Sequence, residues 1–264
     1  ASNMTVLIDI LAYNTFHNSF YWNMLASEMF LDTAQLQNSV ASHAKMLNYL
    51  PRSYRSAKAT VDITISPSNP STVESVLIPR GTSFTGRANS QLFTFVTDKN
   101  TVVLNTNNTF VASGVEIYEG RYLNDIFLFS VGAQFIITDP TVDTTSIRVV
   151  IAEPGKNAVE YSAATSFVGV GSTSLVYFIQ QTDNGQYQIM FGDGVFGYQP
   201  KVGSTIIIEY RISSGELPNT AALFDIDGPL GGTSNVTIQV VSAATGGAVA
   251  ESLDQIRTRA PLTY

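Results

Sequence analysis

The apolar residues of this chain change their period once, near Ala59, and that change sets the class of fold. Before it, Val6, Ile10, Tyr13, His17, Phe20 and Met24 recur every three or four positions, with Leu7, Leu11 and Leu25 widening the apolar side. That is the spacing of a helix, and its apolar content is too broad for one face in solvent. Ser2 or Asn3 is placed to cap it. A second helix is expected after Asp32 or Thr33, carrying a stripe of Leu36, Val40, His43 and Leu47 at spacings of four, three and four, as in a coiled-coil seam. A residue before proline is pushed out of the helical region, so Tyr49-Leu50-Pro51 should close a helical hairpin over residues 1–56.

After Ala59 the period falls to two. Val61, Ile63 and Ile65 alternate with Asp62, Thr64 and Ser66, the pattern of a half-buried strand. Pro67, Asn69 and Pro70 predict a loop. Short apolar runs then follow at 73–78, 92–97, 101–104, 110–118, 126–131, 134–138, 146–151, 166–170, 174–180, 186–191, 204–212 and 235–242. Gly, Asn, Asp and Pro separate them at intervals too short for crossover helices. Asn184-Gly185 predicts a hairpin with a tight primed turn. Ser252–Arg259 predicts a last helix, interrupted by Pro261. The expected class is α+β, predominantly β: a helical hairpin followed by mainly antiparallel β domains.

Composition narrows the chemistry. Only 13% of residues are charged and the net charge is −7, about half the usual charged share. Such a surface suits a protein packed against others. It offers no cluster of Lys and Arg to displace counterions from phosphates, so nucleic acid is not an expected partner, nor is an acidic membrane surface. The absence of cysteine excludes a disulfide framework, a Cys-ligated zinc site and a thiol nucleophile. No secretory pattern and no run of about 20 apolar residues is present. The chain opens inside one helical pattern and stops just after another, and is expected to be a piece of a longer polypeptide.

Reacting groups are equally sparse. The two histidines, His17 and His43, both fall on expected helices among apolar residues. If those helices pair antiparallel, the two rings approach one another, but two histidines make a poor metal site without a third ligand. Asp225-Ile226-Asp227-Gly228 starts like a calcium loop, and Pro229-Leu230-Gly231-Gly232 then lacks its later oxygen ligands. Gly169-Val170-Gly171 lacks the third glycine of a phosphate fingerprint. Glu116 and Glu119 fall on opposite faces of a strand, which argues against a hydrolytic carboxylate pair. No enzyme, cofactor, metal or small-molecule substrate is expected. Twelve tyrosines and one Trp leave a sugar-binding adhesive module as the alternative to a structural protein.

Five segments, in one order, carry a resemblance. They are Leu7-Ile8-Asp9-Ile10-Leu11-Ala12-Tyr13-Asn14, Leu47-Asn48-Tyr49-Leu50-Pro51, and Ile78-Pro79-Arg80-Gly81-Thr82-Ser83-Phe84 followed by Phe93-Thr94-Phe95. The fourth runs from Ile189 through Phe191-Gly192-Asp193-Gly194-Val195-Phe196-Gly197 to Pro200 and on to Tyr210-Arg211. The last is Glu251-Ser252-Leu253-Asp254-Gln255-Ile256-Arg257-Thr258-Arg259-Ala260-Pro261. Together they resemble the baseplate wedge (baseplate J-like) family of contractile-tailed bacteriophages, and the helical opening resembles its T-even-type members.

The resemblance implies a structural subunit of the tail baseplate, made in the bacterial cytoplasm and joined to other wedge proteins and further copies of itself. It suggests a β-domain built from 57–132 and 203–250, interrupted by a β-module at 133–202, with 251–264 opening a C-terminal helical region. Leu36, Val40, His43 and Leu47 are the expected partner surface. Pro79, Gly81, Gly192, Asp193 and Gly194 read as chain turns, because Pro fixes φ and Gly reaches conformations other residues resist.

Overall fold

A computed structural model describes residues 3–67 and 73–263. Ser2 and the Asn69-Pro70 part of the expected loop lie outside the described residues. The chain divides into two compact units. One comprises residues 1–51, 180–188 and 251–264, the other residues 52–179 and 189–250.

In the first unit α1 spans Asn3–Glu28, α2 spans Gln37–Met46 and α3 spans Leu253–Arg259, followed by a 3-10 turn at Ala260–Thr263. None of the described residues of α1 is buried. α2 closes instead on α3: Ala34, Val40, Ala44, Ile256 and Ala260 form a buried cluster rimmed by Leu31, Leu47, Tyr49 and Leu253. The expected hairpin of two helices packed along each other is therefore replaced by a pairing of α2 with the far end of the chain. Neither Asp32 nor Thr33 caps α2, which starts after Leu36 with no side-chain cap of its own. α3 has the predicted start, with a capping box in which the Ser252 hydroxyl accepts from the Gln255 N–H and the Gln255 side chain accepts from the Ser252 N–H.

The second unit is built on two sheets. The first contains β1 (Lys58–Ile65), β2 (Ser75–Ile78), β3 (Ser83–Ala88), β4 (Gln91–Thr97), β5 (Thr101–Thr106), β6 (Thr109–Glu119), β14 (Leu223–Ile226) and β15 (Val236–Thr245). Its order is β14-β3-β4-β6-β1-β15, with β5 bridging β6 to β2. Ile63, Ile65, Ile78, Phe84, Phe95, Phe110, Ile117 and Phe224 fill its core. β3 shows no apolar alternation because its inward positions are Phe84, Gly86 and Ala88. A Cβ on Gly86 would stand 2.5 Å from the Phe95 ring, so a neighbouring aromatic occupies the space a side chain would need.

The second sheet contains β7 (Arg121–Leu128), β8 (Phe135–Ile137), β9 (Val142–Ala152), β10 (Val159–Ala163), β11 (Val176–Gln181), β12 (Tyr187–Phe191) and β13 (Thr205–Ile212). The order is β7-β13-β9-β10-β11-β12-β8. β7 with β13, β13 with β9 and β9 with β10 pair antiparallel, and β10 with β11 parallel. Its interior gathers Phe127, Phe129, Phe135 and Phe191, with neighbouring ring centroids 5.5–6.3 Å apart. The sheet thus takes in residues 121–212, wider than the expected 133–202. β7 pairs with β13 rather than with any strand of the first sheet. The run at 166–170 is a loop, not a strand.

At the Asn184-Gly185 turn only Gly185 has positive φ, at 79°, and its N–H donates to the Thr182 carbonyl at 2.9 Å. The connection is a type I turn followed by a left-handed glycine, not the expected primed turn.

Candidate interaction surface

α1 carries Leu7, Ile8, Ile10, Leu11, Phe16, Phe20, Trp22 and Leu25, every one of them exposed. They surround the helix rather than mark one stripe. Its rings meet one another edge-on: the centroids of Tyr13 and His17 lie 4.2 Å apart and those of Phe16 and His17 5.8 Å. No helix among the described residues is long and apolar enough to cross a membrane.

The C-terminal end of α1 is held by polar contacts. The Glu28 carboxylate accepts from the N–H of Gln35 at 2.9 Å and of Leu36 at 3.3 Å, where α2 begins. This anion supplies the acceptor that Asp32 and Thr33 do not. Hydrogen bonding from Ser39, then from the Gln35 N–H, holds its pKa below the usual carboxylate value. The Glu28 carbonyl meets His43 Nε2 at 2.9 Å, and Thr33 Oγ1 donates to the Ser27 carbonyl at 2.6 Å. Glu28, Asn38, Ser39, Ser42, His43 and Asp183 line an open polar cleft of about 360 Å3. Among the described residues no three His, Asp or Glu side chains gather where a metal could sit. His17 belongs to the aromatic ladder of α1 and His43 to this cleft, and the structure does not bring them together.

The four residues expected as partner surface separate. Leu36 is exposed, His43 is half-buried in the cleft, and Leu47 packs at the rim of the α2–α3 cluster. Val40 is fully buried at 0% exposure, so it is removed from the partner surface: its side of α2 is already occupied by Ile256 and Ala260.

The residues read as chain turns make the following contacts. Gly81 has φ +82° and donates to the Thr97 carbonyl at 2.9 Å, while the Pro79 carbonyl accepts from Thr82 Oγ1 at 2.7 Å and Thr97 Oγ1 at 2.8 Å. Asp193 Oδ1 accepts from the N–H of Phe196 and of Val195, both at 2.9 Å, which lowers its pKa. A Cβ on Gly192 would fall 2.2 Å from the Gly197 carbonyl carbon, and Gly194 has φ +87°. This locked loop presents Val195 and Phe196 to solvent, with Phe196 5.8 Å from the Phe167 ring.

A set of charged residues that the sequence did not single out joins the two sheets. The chain leaves the first sheet at Gly120 and returns after Ile212. A Cβ on Gly120 would fall 2.0 Å from the Ile212 carbonyl oxygen, and its φ is +116°. Beside this crossing lies Arg211, 2% exposed, whose guanidinium donates to Asp143 Oδ2 at 3.0 Å and to Ser56 Oγ at 2.8 Å. It also sits 4.6 Å from the centre of the Tyr118 ring. Burial alone would raise the Asp143 pKa. The Thr145 hydroxyl, the Arg211 charge and Ser56 outweigh it, and the net shift is downward. Arg80, in the turn of the first sheet, pairs with Glu209 of β13 and stands 4.2 Å over the Tyr122 ring.

Glu119 ties the outgoing strand to the returning one, accepting from Ser213 Oγ at 2.7 Å and the Ser214 N–H at 3.1 Å. Burial pushes its pKa up, against those hydrogen bonds. The Tyr122 hydroxyl donates to Asp98 Oδ1 at 2.5 Å, and burial with that bond raises its pKa to about 12. This cluster satisfies itself internally, and its geometry is that of a structural joint. Of the tyrosines, Tyr161, Tyr177, Tyr187 and Tyr210 are buried, while Tyr13 and Tyr21 are exposed on α1.

Two family comparisons divide at this joint. Residues 57–120 match the family described as baseplate wedge protein gp6, domain II. Residues 121–212 match bacteriophage baseplate wedge protein gp6, third domain. The chain is also similar to the baseplate wedge protein gp6 of Enterobacteria phage T4, with 26% identity over 284 aligned residues covering 97% of this chain. It spans 42% of that protein's length.

Proposed function

The chain belongs to the baseplate wedge protein gp6 family of contractile-tailed phages, and from that premise we propose that it is a non-catalytic structural piece of the virion baseplate, joining neighbouring wedge subunits through α1. The observation that supports this reading is the helix itself. A helix apolar on all sides belongs in a protein interior, and contiguous exposed apolar surface of this extent marks an interaction site. Burying a large side chain such as Leu or Phe contributes about 1.5–3 kcal/mol, so covering even a few of these residues gives a strong contact. Helices of other wedge proteins are the natural cover, because they present ridges that fit the same side chains.

On this reading the protein works by connecting. Copies assembled in the host cytoplasm link wedges around the baseplate, with no cofactor, nucleic acid, lipid or small molecule taking part. A low surface charge lets contacts rearrange when the tail contracts without stranding buried ions.

The test places Glu at Leu11 and Phe20 together in the full-length protein of the phage. Both residues are exposed, so the isolated chain keeps its circular dichroism spectrum. Incorporation into baseplates, counted by quantitative mass spectrometry, is expected to fall at least about tenfold, the equivalent of 1.4 kcal/mol. Undiminished incorporation at the parental copy number would remove α1 from the interface.

A further inference from the structure

α1 and α2 are joined by an elbow at residues 29–36, and none of the described residues of α1 is buried. With no packed face of its own, α1 takes its direction from that elbow. One side of the elbow is tied to the helices it joins: the Glu28 carboxylate accepts from the Gln35 and Leu36 N–H groups, and Thr33 Oγ1 donates to the Ser27 carbonyl. The other side is covered by α3. Ala34 is fully buried in the cluster with Ile256 and Ala260, and Leu31 packs against it. Arg257 Nη1 donates to the Ala34 carbonyl at 3.1 Å, while its Nη2 pairs with Asp254 one turn back on α3.

α3 is gripped a second time beyond α2. The Glu251 carboxylate, its side chain 1% exposed, accepts from the Tyr49 hydroxyl at 2.7 Å and pairs with Arg259. α3 is therefore tied through Arg257 to the segment before α2 and through Glu251 to the segment after it. What lies between is thin. The buried cluster holds Val40 and Ile256, and its other members are Ala34, Ala44 and Ala260. Stabilisation by burial scales with apolar area, so a contact made mostly of alanines belongs to the part of a protein that opens locally, ahead of global unfolding.

We infer that α3 is a releasable lock on the direction of α1. Seated, α3 pins Ala34 and Leu31, and the elbow holds α1 at one angle to α2. Displaced, it uncovers both residues and frees the Ala34 carbonyl, and α1 swings on the Glu28 and Thr33 contacts that remain. Two arrangements of one elbow form an equilibrium that a partner shifts by binding one of them more tightly. The lock acts within the isolated chain, so it stands or falls apart from the role proposed for α1 in joining wedges.

The chain has no cysteine, so Asn18→Cys on α1 and Lys45→Cys on α2, both exposed positions, each take one spin label, and pulsed electron resonance reads the distance between them. One narrow distribution is expected for the labelled chain with α3 unaltered. Arg257→Ala removes the bond to Ala34 and raises the open fraction by about tenfold, read as a second, broader population. Ile256→Asp drives α3 from α2 and makes that population dominant. Hydrogen exchange on the same samples shows α2 and the β-strands as protected in the Arg257 variant as in the parent, which separates a swinging α1 from an unfolded one. Arg257→Ala leaves the apolar cluster in place and decides the case if α2 melts in the Ile256 variant. A broad distribution before α3 is altered overturns the inference, because α1 is then not held. So does a narrow one in both variants. Broadening accompanied by lost α2 protection in both overturns it too, since melting of α2 would account for the movement.

Discussion

Arg211 brings a full charge into the joint between the two sheets, where Asp143, the more distant Asp98, Ser56 and two tyrosines meet it. Removing one member of such a pair leaves the other buried and unpaired, at a cost of about 3–5 kcal/mol, whereas replacing both with apolar groups is often close to neutral. Arg211→Met is therefore expected to lower stability by about that amount in urea unfolding, and Arg211→Met with Asp143→Leu to recover most of it. A loss below about 1 kcal/mol for the single variant would mean that water reaches Asp143. Nothing local announces this pair. Arg211 closes a segment that reads as family scaffold, yet its partners lie 68 and 155 residues away in sequence. Arg80 is the same case, since its turn was legible and its partner Glu209 was not. At Gly81 and Gly194 a positive φ, and at Gly192 a close approach, act on the residue itself.

Elements were legible where one face alone decided them. The alternation of β1 and the Ser252 box of α3 are both local signals, and both hold. β3 escaped because the space under its middle residue belongs to Phe95 and Phe224. The assignment of β7 and β13 to the wrong sheet has a different cause: alternation says which residues point inward but not which strand lies alongside. α2 starts late because its anion comes from Glu28, across the preceding loop, and capping logic looks only at the adjacent residues. The crossing at Gly120 gives a direct check. Gly120→Ala must both accept a left-handed backbone and displace the Ile212 carbonyl, so it should cost at least about 2 kcal/mol. Gly114→Ala, with φ +68° and nothing within 4 Å, meets only the first penalty. Comparing the two melting temperatures separates the clash from the backbone term, and equal shifts would show that the crossing can open.

At the scale of the whole molecule, the second sheet is an excursion that leaves and returns by neighbouring strands. Residues 121–212 hold all seven strands and keep the Arg211–Asp143 pair. Expressed alone, this span is expected to fold, with dispersed amide resonances and lower stability than the parent because the Ser56 and Glu119 contacts are lost. Joining residue 120 to 213 through a short glycine linker should leave the first sheet folded too. An unfolded excursion would make the two sheets one cooperative unit. The paired exit has a mechanical side as well. β7 and β13 run side by side, attached to the first sheet at the same end. A force drawing the two sheets apart therefore stretches both strands at once, dividing the tension between two covalent tethers. Neither strand is peeled from the other, and the joint behaves as a doubled strap rather than a zip.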